Sequence, residues 1–197
     1  MATLVLPPGV SGASPISYDF FQQYIESVAE ADNASALVTH GTAISNATTN
    51  TALITVPAGN VAMAVAGSAF LLKATVLIVT PASGPATLAF NGYSGGSGGT
   101  ALATMTAFTP TVSLTAGIVD LEMLVSFWSA TTVQCTVRAL VNNSASASTS
   151  LAYVAGTASA TPTTVTAGTS LTLNAVMGSA VSGSSYEAIA GFWTQEA

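Results

Sequence analysis

Residues 61–80 read V-A-M-A-V-A-G-S-A-F-L-L-K-A-T-V-L-I-V-T, and the fold turns on whether this run is one helix or consecutive strands. Its length and apolar content would suffice for a helix crossing a bilayer. However, Ser68 and Lys73 interrupt the run, Gly67 divides it near the middle, and it is rich in valine and threonine, as buried strands are. No basic flank sets a membrane orientation. The stretch therefore predicts two strands, 61–69 and 72–80, and no membrane as a partner.

The same texture extends to both sides. Short Val/Ile/Leu/Thr runs predict further strands at 51–56, 86–93, 102–108, 119–126, 132–140, 150–155, 170–176 and 186–194. Turn-forming sequences separate them: P-A-G-N at 57–60, P-A-S-G-P at 81–85, G-G-S-G-G at 95–99 and N-N-S-A-S-A-S at 142–148. There is no strand–helix alternation to build a parallel sheet. The expectation is one all-β domain over residues 38–197, an antiparallel β-sandwich of jelly-roll type.

Residues 1–37 read differently. Pro7, Pro8 and Pro15, with Gly9 and Gly12, keep the first residues extended, while Leu4, Val5, Leu6 and Val10 make that arm apolar. A short amphipathic helix is expected over 18–31, with Ser17 as N-cap and Asp19 in its first turn. Phe20, Phe21, Tyr24, Ile25 and Val28 share one stripe, able to pack on the β domain or dock on a partner. Glu26, Glu30 and Asp32 crowd its C-terminal end, where the helix dipole disfavours acids and a basic partner surface would complement them. Residues 1–37 are thus expected to anchor the protein, with Leu4, Val5, Leu6, Val10, Phe20, Phe21, Tyr24, Glu26 and Glu30 as partner-binding candidates.

Composition narrows the function. Half of the 197 residues are hydrophobic and 5% are charged, the reverse of a disordered chain. Only Lys73 and Arg138 are basic against eight acids, a net charge of -6, so no nucleic-acid partner is expected. The lone Cys135, in V-Q-C-T-V, excludes an intrachain disulfide and reads as a small buried strand residue. The start M-A-T-L-V-L-P-P lacks a basic segment followed by a long apolar run, so synthesis in a host cytoplasm is expected. Asn33, Asn46 and Asn142 in their sequons then read as turn or loop amides. A β protein so poor in lysine must protect its sheet edges by other means, which predicts association with other subunits.

Each catalytic motif has a plainer reading. Gly95–Ser97–Gly99 satisfies G-x-S-x-G, but a nucleophile elbow needs a helix after the serine and a histidine later in the chain. A strand follows instead, and the only histidine, His40, precedes Ser97. Without a second histidine, His40 reads as a loop residue rather than a metal ligand. Asp120 and Glu122, two apart in one strand, share a face and read as solvent-facing acids or as a pair facing Arg138. Trp128, Tyr153, Tyr186 and Trp193 are candidates for a sugar-stacking platform, but packing at strand ends is the simpler role. No enzyme activity, cofactor or metal is expected.

The stretch N-T-A-L-I-T-V-P-A-G at 50–59, a following Val/Ala/Gly strand and hairpin, the Gly-rich loop near Asn91-Gly92-Tyr93, and the closing E-A-I-A-G-F-W at 187–193 resemble small jelly-roll structural proteins of tailed bacteriophages. The resemblance covers residues 44–197 and carries no catalytic residue. Such proteins serve as head decoration proteins or as tail-tip and fibre domains, often as trimers. The resemblance implies a virion structural protein, most simply a capsid decoration protein that forms a homotrimer and attaches to the major capsid protein or another virion protein. The alternative is a minor tail or fibre protein whose β-sandwich binds a carbohydrate or receptor.

Overall fold

A computed structural model describes residues 43–142, 151–154 and 162–196. Their elements are β1 (Ile44–Ser45), β2 (Thr51–Val56), α1 (Ala58–Val61), β3 (Ala69–Val79), β4 (Leu88–Ser94), β5 (Thr100–Thr104), β6 (Gly117–Ser129), β7 (Thr132–Asn142), β8 (Leu151–Val154), β9 (Thr163–Thr164), β10 (Leu171–Met177) and β11 (Ser185–Glu196). The expected arm, the helix over 18–31 and all nine partner-binding candidates lie outside the described residues, as does the boundary between residues 37 and 38.

The described chain is all-β apart from one four-residue helical turn, and every strand pair is antiparallel. The larger sheet runs β1-β11-β3-β6-β7-β8, with β9 also on β7, and the smaller runs β2-β10-β4-β5. Together they curl into a half-barrel. The pairings nest: β4 with β5, β3 with β6, β2 with β10 and β1 with β11, each pair enclosing the one before. Such nesting describes a two-stranded ribbon, β1–β4 against the chain from β5 to β11, with β7–β9 inserted on the second limb. Its sides then meet as β3 with β11 and β4 with β10.

Alternation explains which face is buried. Along β3, Phe70, Leu72, Ala74, Val76 and Ile78 point into the core and the residues between them point out. β6 contributes Val119, Leu121, Met123, Val125 and Phe127 inward, and β7 contributes Val133, Cys135, Val137, Ala139 and Val141. The smaller sheet answers with Ile54, Val56, Phe90, Leu102, Leu171 and Leu173. Burying each large apolar side chain contributes about 1.5–3 kcal/mol, so Phe70→Ala, which also breaks its edge contact with the Phe127 ring at 5.8 Å, would cost about 3–5 kcal/mol.

The strand expected at 61–69 does not form. Pro57 starts α1, Ala62 N–H bonds back to the Ala58 carbonyl at 2.8 Å, and Ser68 closes a turn by donating its N–H to the Val65 carbonyl at 3.0 Å. Gly67 makes that turn possible with φ 95°, a conformation other residues rarely adopt. The strand at 102–108 stops at Thr104, leaving one isolated bridge between Leu88 and Phe108. Two-residue strands β1 and β9 were not expected, and β1 is so short that it offers little edge for pairing.

Candidate functional site

The outer face of the larger sheet carries the most distinctive side-chain grouping. Register sets Lys73 of β3 beside Glu122 of β6, and Glu122 beside Arg138 of β7. Lys73 Nζ lies 3.3 Å from Glu122 Oε2, and Arg138 Nη1 lies 3.8 Å from Glu122 Oε1. Both basic residues of the chain therefore meet one carboxylate. One row along, Thr75 donates its hydroxyl to Asp120 Oδ1 at 2.7 Å. A depression of about 260 Å³ runs beside these groups, lined by Lys73, Asp120, Leu121, Glu122, Arg138, Ala139 and Leu140.

These charges sit in solvent. The Lys73, Glu122 and Arg138 side chains are 43%, 35% and 60% exposed, and ion pairs in water contribute only about 0–1 kcal/mol each. The row therefore does little to hold the fold together. It presents alternating charge on a face of mixed polar and apolar residues, and such an arrangement recognises surfaces of matching charge. The depression's lining contains no histidine, cysteine or serine, so its chemistry is ion pairing and hydrogen bonding. Among the described residues no group of three or more His, Cys, Asp or Glu side chains is placed to hold a metal.

Asp120 and Glu122 do share a face, and Glu122 faces Arg138 as expected. Lys73 was missed as its second partner, because nothing in the sequence says that β3 pairs with β6. Ser97 lies in the hairpin between β4 and β5, so a strand leaves the loop where a nucleophile elbow needs a helix. Cys135 is buried, and burial pushes its thiol up to about 12. His40 and the Tyr153 side chain lie outside the described set.

The aromatic candidates are separated. Tyr186 is buried and donates its hydroxyl to the Ala175 carbonyl at 3.3 Å, and Trp193 is buried against Phe70. Burial pushes the Tyr186 hydroxyl above its ordinary range, while a hydrogen bond with Thr51 opposes the shift. Trp128 instead stands 60% exposed, contrary to the expected packing at a strand end. Alternation along β6 continues to this end, so Phe127 points inside and Trp128 points out, and a bulge between Phe127 and Ser129 then shifts the pairing with β7.

A second grouping, on the smaller sheet, was not foreseen. Asn50 donates to the Tyr93 hydroxyl at 3.0 Å, Asn91 donates to Asn50 Oδ1 at 3.2 Å, and Asn91 Oδ1 accepts the Met105 N–H at 3.1 Å. These bonds tie the entry of β2 and the exit of β5 to the centre of β4, a structural role. No sequence pattern marked it, because Asn50 and Asn91 meet only through the pairing of β2, β10 and β4.

No family model, no curated protein and no solved structure matches this chain.

Proposed function

We propose that this chain is a virion structural protein of the tailed-bacteriophage type, a capsid decoration protein that attaches to the major capsid protein or another virion protein and associates with copies of itself. The supporting observation is the nested strand pairing. A two-stranded ribbon rolled so that each outer pair encloses an inner one is the layout of a jelly roll, which capsid proteins use widely. The composition agrees with it, since a subunit held in a particle needs apolar surface and few charges. Residues 1–37 would supply the attachment.

The test is incorporation. Particles of the virus encoding this chain, purified and analysed by mass spectrometry, should contain it in many copies per particle. A chain lacking residues 1–32 should still fold but be missing from the particles. Absence of the full chain from purified particles would rule the reading out.

The exposure of Trp128 favours a second reading, a tail or fibre protein whose β-sandwich binds carbohydrate, because an open indole is a surface on which sugars stack. Glycan-array binding lost on Trp128→Ala would establish it. An array with no signal for the full chain would exclude it.

A further inference from the structure

We infer that the outer face of the larger sheet is where two copies of this chain pair, about a two-fold axis running parallel to the strands between β3 and β6. This rests on the self-association proposed above and names its surface. An antiparallel sheet with one solvated face normally turns polar residues outward. Here Leu71, Leu77, Ile118, Leu124 and Phe192 take outward positions around the charged row. That pattern suits a sheet covered on both faces.

Charge complementarity identifies the occupant as a second copy. A two-fold axis between β3 and β6 exchanges those strands, so each residue of β3 meets, on the other copy, the β6 residue that is its register partner within its own chain. Those partners match in kind: Lys73 with Glu122, Thr75 with Asp120, Leu71 with Leu124 and Leu77 with Ile118. One strand further out, Phe192, which pairs with Lys73, meets Arg138, which pairs with Glu122, and a guanidinium over an aromatic face is favourable. An axis between β6 and β7 sets Glu122 on Arg138 but leaves Asp120 facing Leu140, and two further axes fail on charge. One lying over β6 opposes Glu122 with Glu122 and Lys73 with Arg138, and one crossing the strands between the two charged rows opposes Glu122 with Asp120. Sheet twist limits the closest contact to the centre, around Lys73 and Glu122. The contact is self-complementary and closes on two copies, unlike the three-fold association that the phage resemblance implies.

Native mass spectrometry and sedimentation of the full chain at micromolar concentration test the pairing. The expected species is a dimer. Leu71→Lys and Leu124→Glu should each weaken it by about tenfold or more, because each sets a charge against leucine. Mixing the two variants should restore a dimer of mixed mass, since one lysine then faces one glutamate while the other contact remains leucine on leucine. Phe192→Arg, at a residue already 37% exposed, tests the same face with little risk to folding, by opposing Arg138. Thr55→Ala, exposed on β2 of the smaller sheet, should leave the dimer intact. A monomeric or trimeric full chain, or a dimer indifferent to Leu71→Lys, Leu124→Glu and Phe192→Arg, would overturn the inference. A dimer that behaves as expected from a chain absent from particles would instead reject only the virion reading.

Discussion

Gly92 of β4 lies directly beneath Met123 of β6, so closely that a Cβ added to the glycine would stand 2.9 Å from the methionine Cε and 3.1 Å from Cys135 Sγ. The two sheets meet at this point, and there is no room for a side chain from the smaller one. Gly92→Ala should destabilise the fold by about 1–3 kcal/mol, the usual cost of overpacking a filled core. Urea denaturation measures it. Met123→Ala alone should cost about 2–5 kcal/mol by opening a cavity, but the double variant should lose less than the two single losses added, since the methionine is the group in the way; additive losses would place the strain in the backbone instead.

Glu122→Gln should leave folding almost unchanged, within about 1 kcal/mol, because its two ion-pair partners stand in solvent and are well screened. Thermal melts in low and high salt check this. A loss much beyond that range would mean that the Lys73–Glu122–Arg138 row does hold β3, β6 and β7 together.

Stability should fall at alkaline pH. Burial raises the Cys135 thiol from an ordinary 9.0 to about 12 and also raises the Tyr186 hydroxyl from 10.0. Both groups are neutral in the fold and ionise more readily in the unfolded chain. Their contribution is complete below pH 9 and is lost as pH rises through 9 toward 12. Urea midpoints should therefore hold steady up to pH 9 and then decline, with a shallower decline for Cys135→Ala. The thiol should resist alkylation at pH 8 in the native protein and react once urea unfolds it.

What the sequence made legible follows from what a local pattern can encode. The strand expected at 51–56 forms as β2, and β3, β6, β7, β10 and β11 form within a few residues of expectation, because alternation or dense β-branched runs mark them. The strand expected at 61–69 failed because V-A-M-A-V-A is apolar throughout, with no polar–apolar alternation to mark a strand, and Ala and Met suit a helical turn equally well. β1 and β9 are too short to carry any pattern. The charged row was half visible: a shared strand face predicts that Asp120 and Glu122 lie side by side, whereas the contact with Lys73 depends on which strands pair across the sheet. That pairing is set by the whole core and not by any segment.

The two tryptophans should report opposite environments. Trp193 lies in the core against Phe70, with its ring centroid 6.3 Å from the phenylalanine's, whereas Trp128 is 60% exposed beside the β6–β7 turn. The chain has only these two, so single replacements isolate each signal. Trp128→Phe should leave a blue-shifted emission that acrylamide barely quenches, and Trp193→Phe a red-shifted one that quenches readily. Stability should divide the same way. Replacing Trp193 with alanine removes a large core side chain and should cost about 3–5 kcal/mol, while Trp128→Ala should change stability by no more than about 0.5 kcal/mol, as surface substitutions do. An exposed indole that the fold does not need is available for contact with something else. If Trp128→Ala proved strongly destabilising, or if Trp128 resisted quenching in the isolated chain, the indole would be covered by the protein itself and the carbohydrate-binding reading would lose its support.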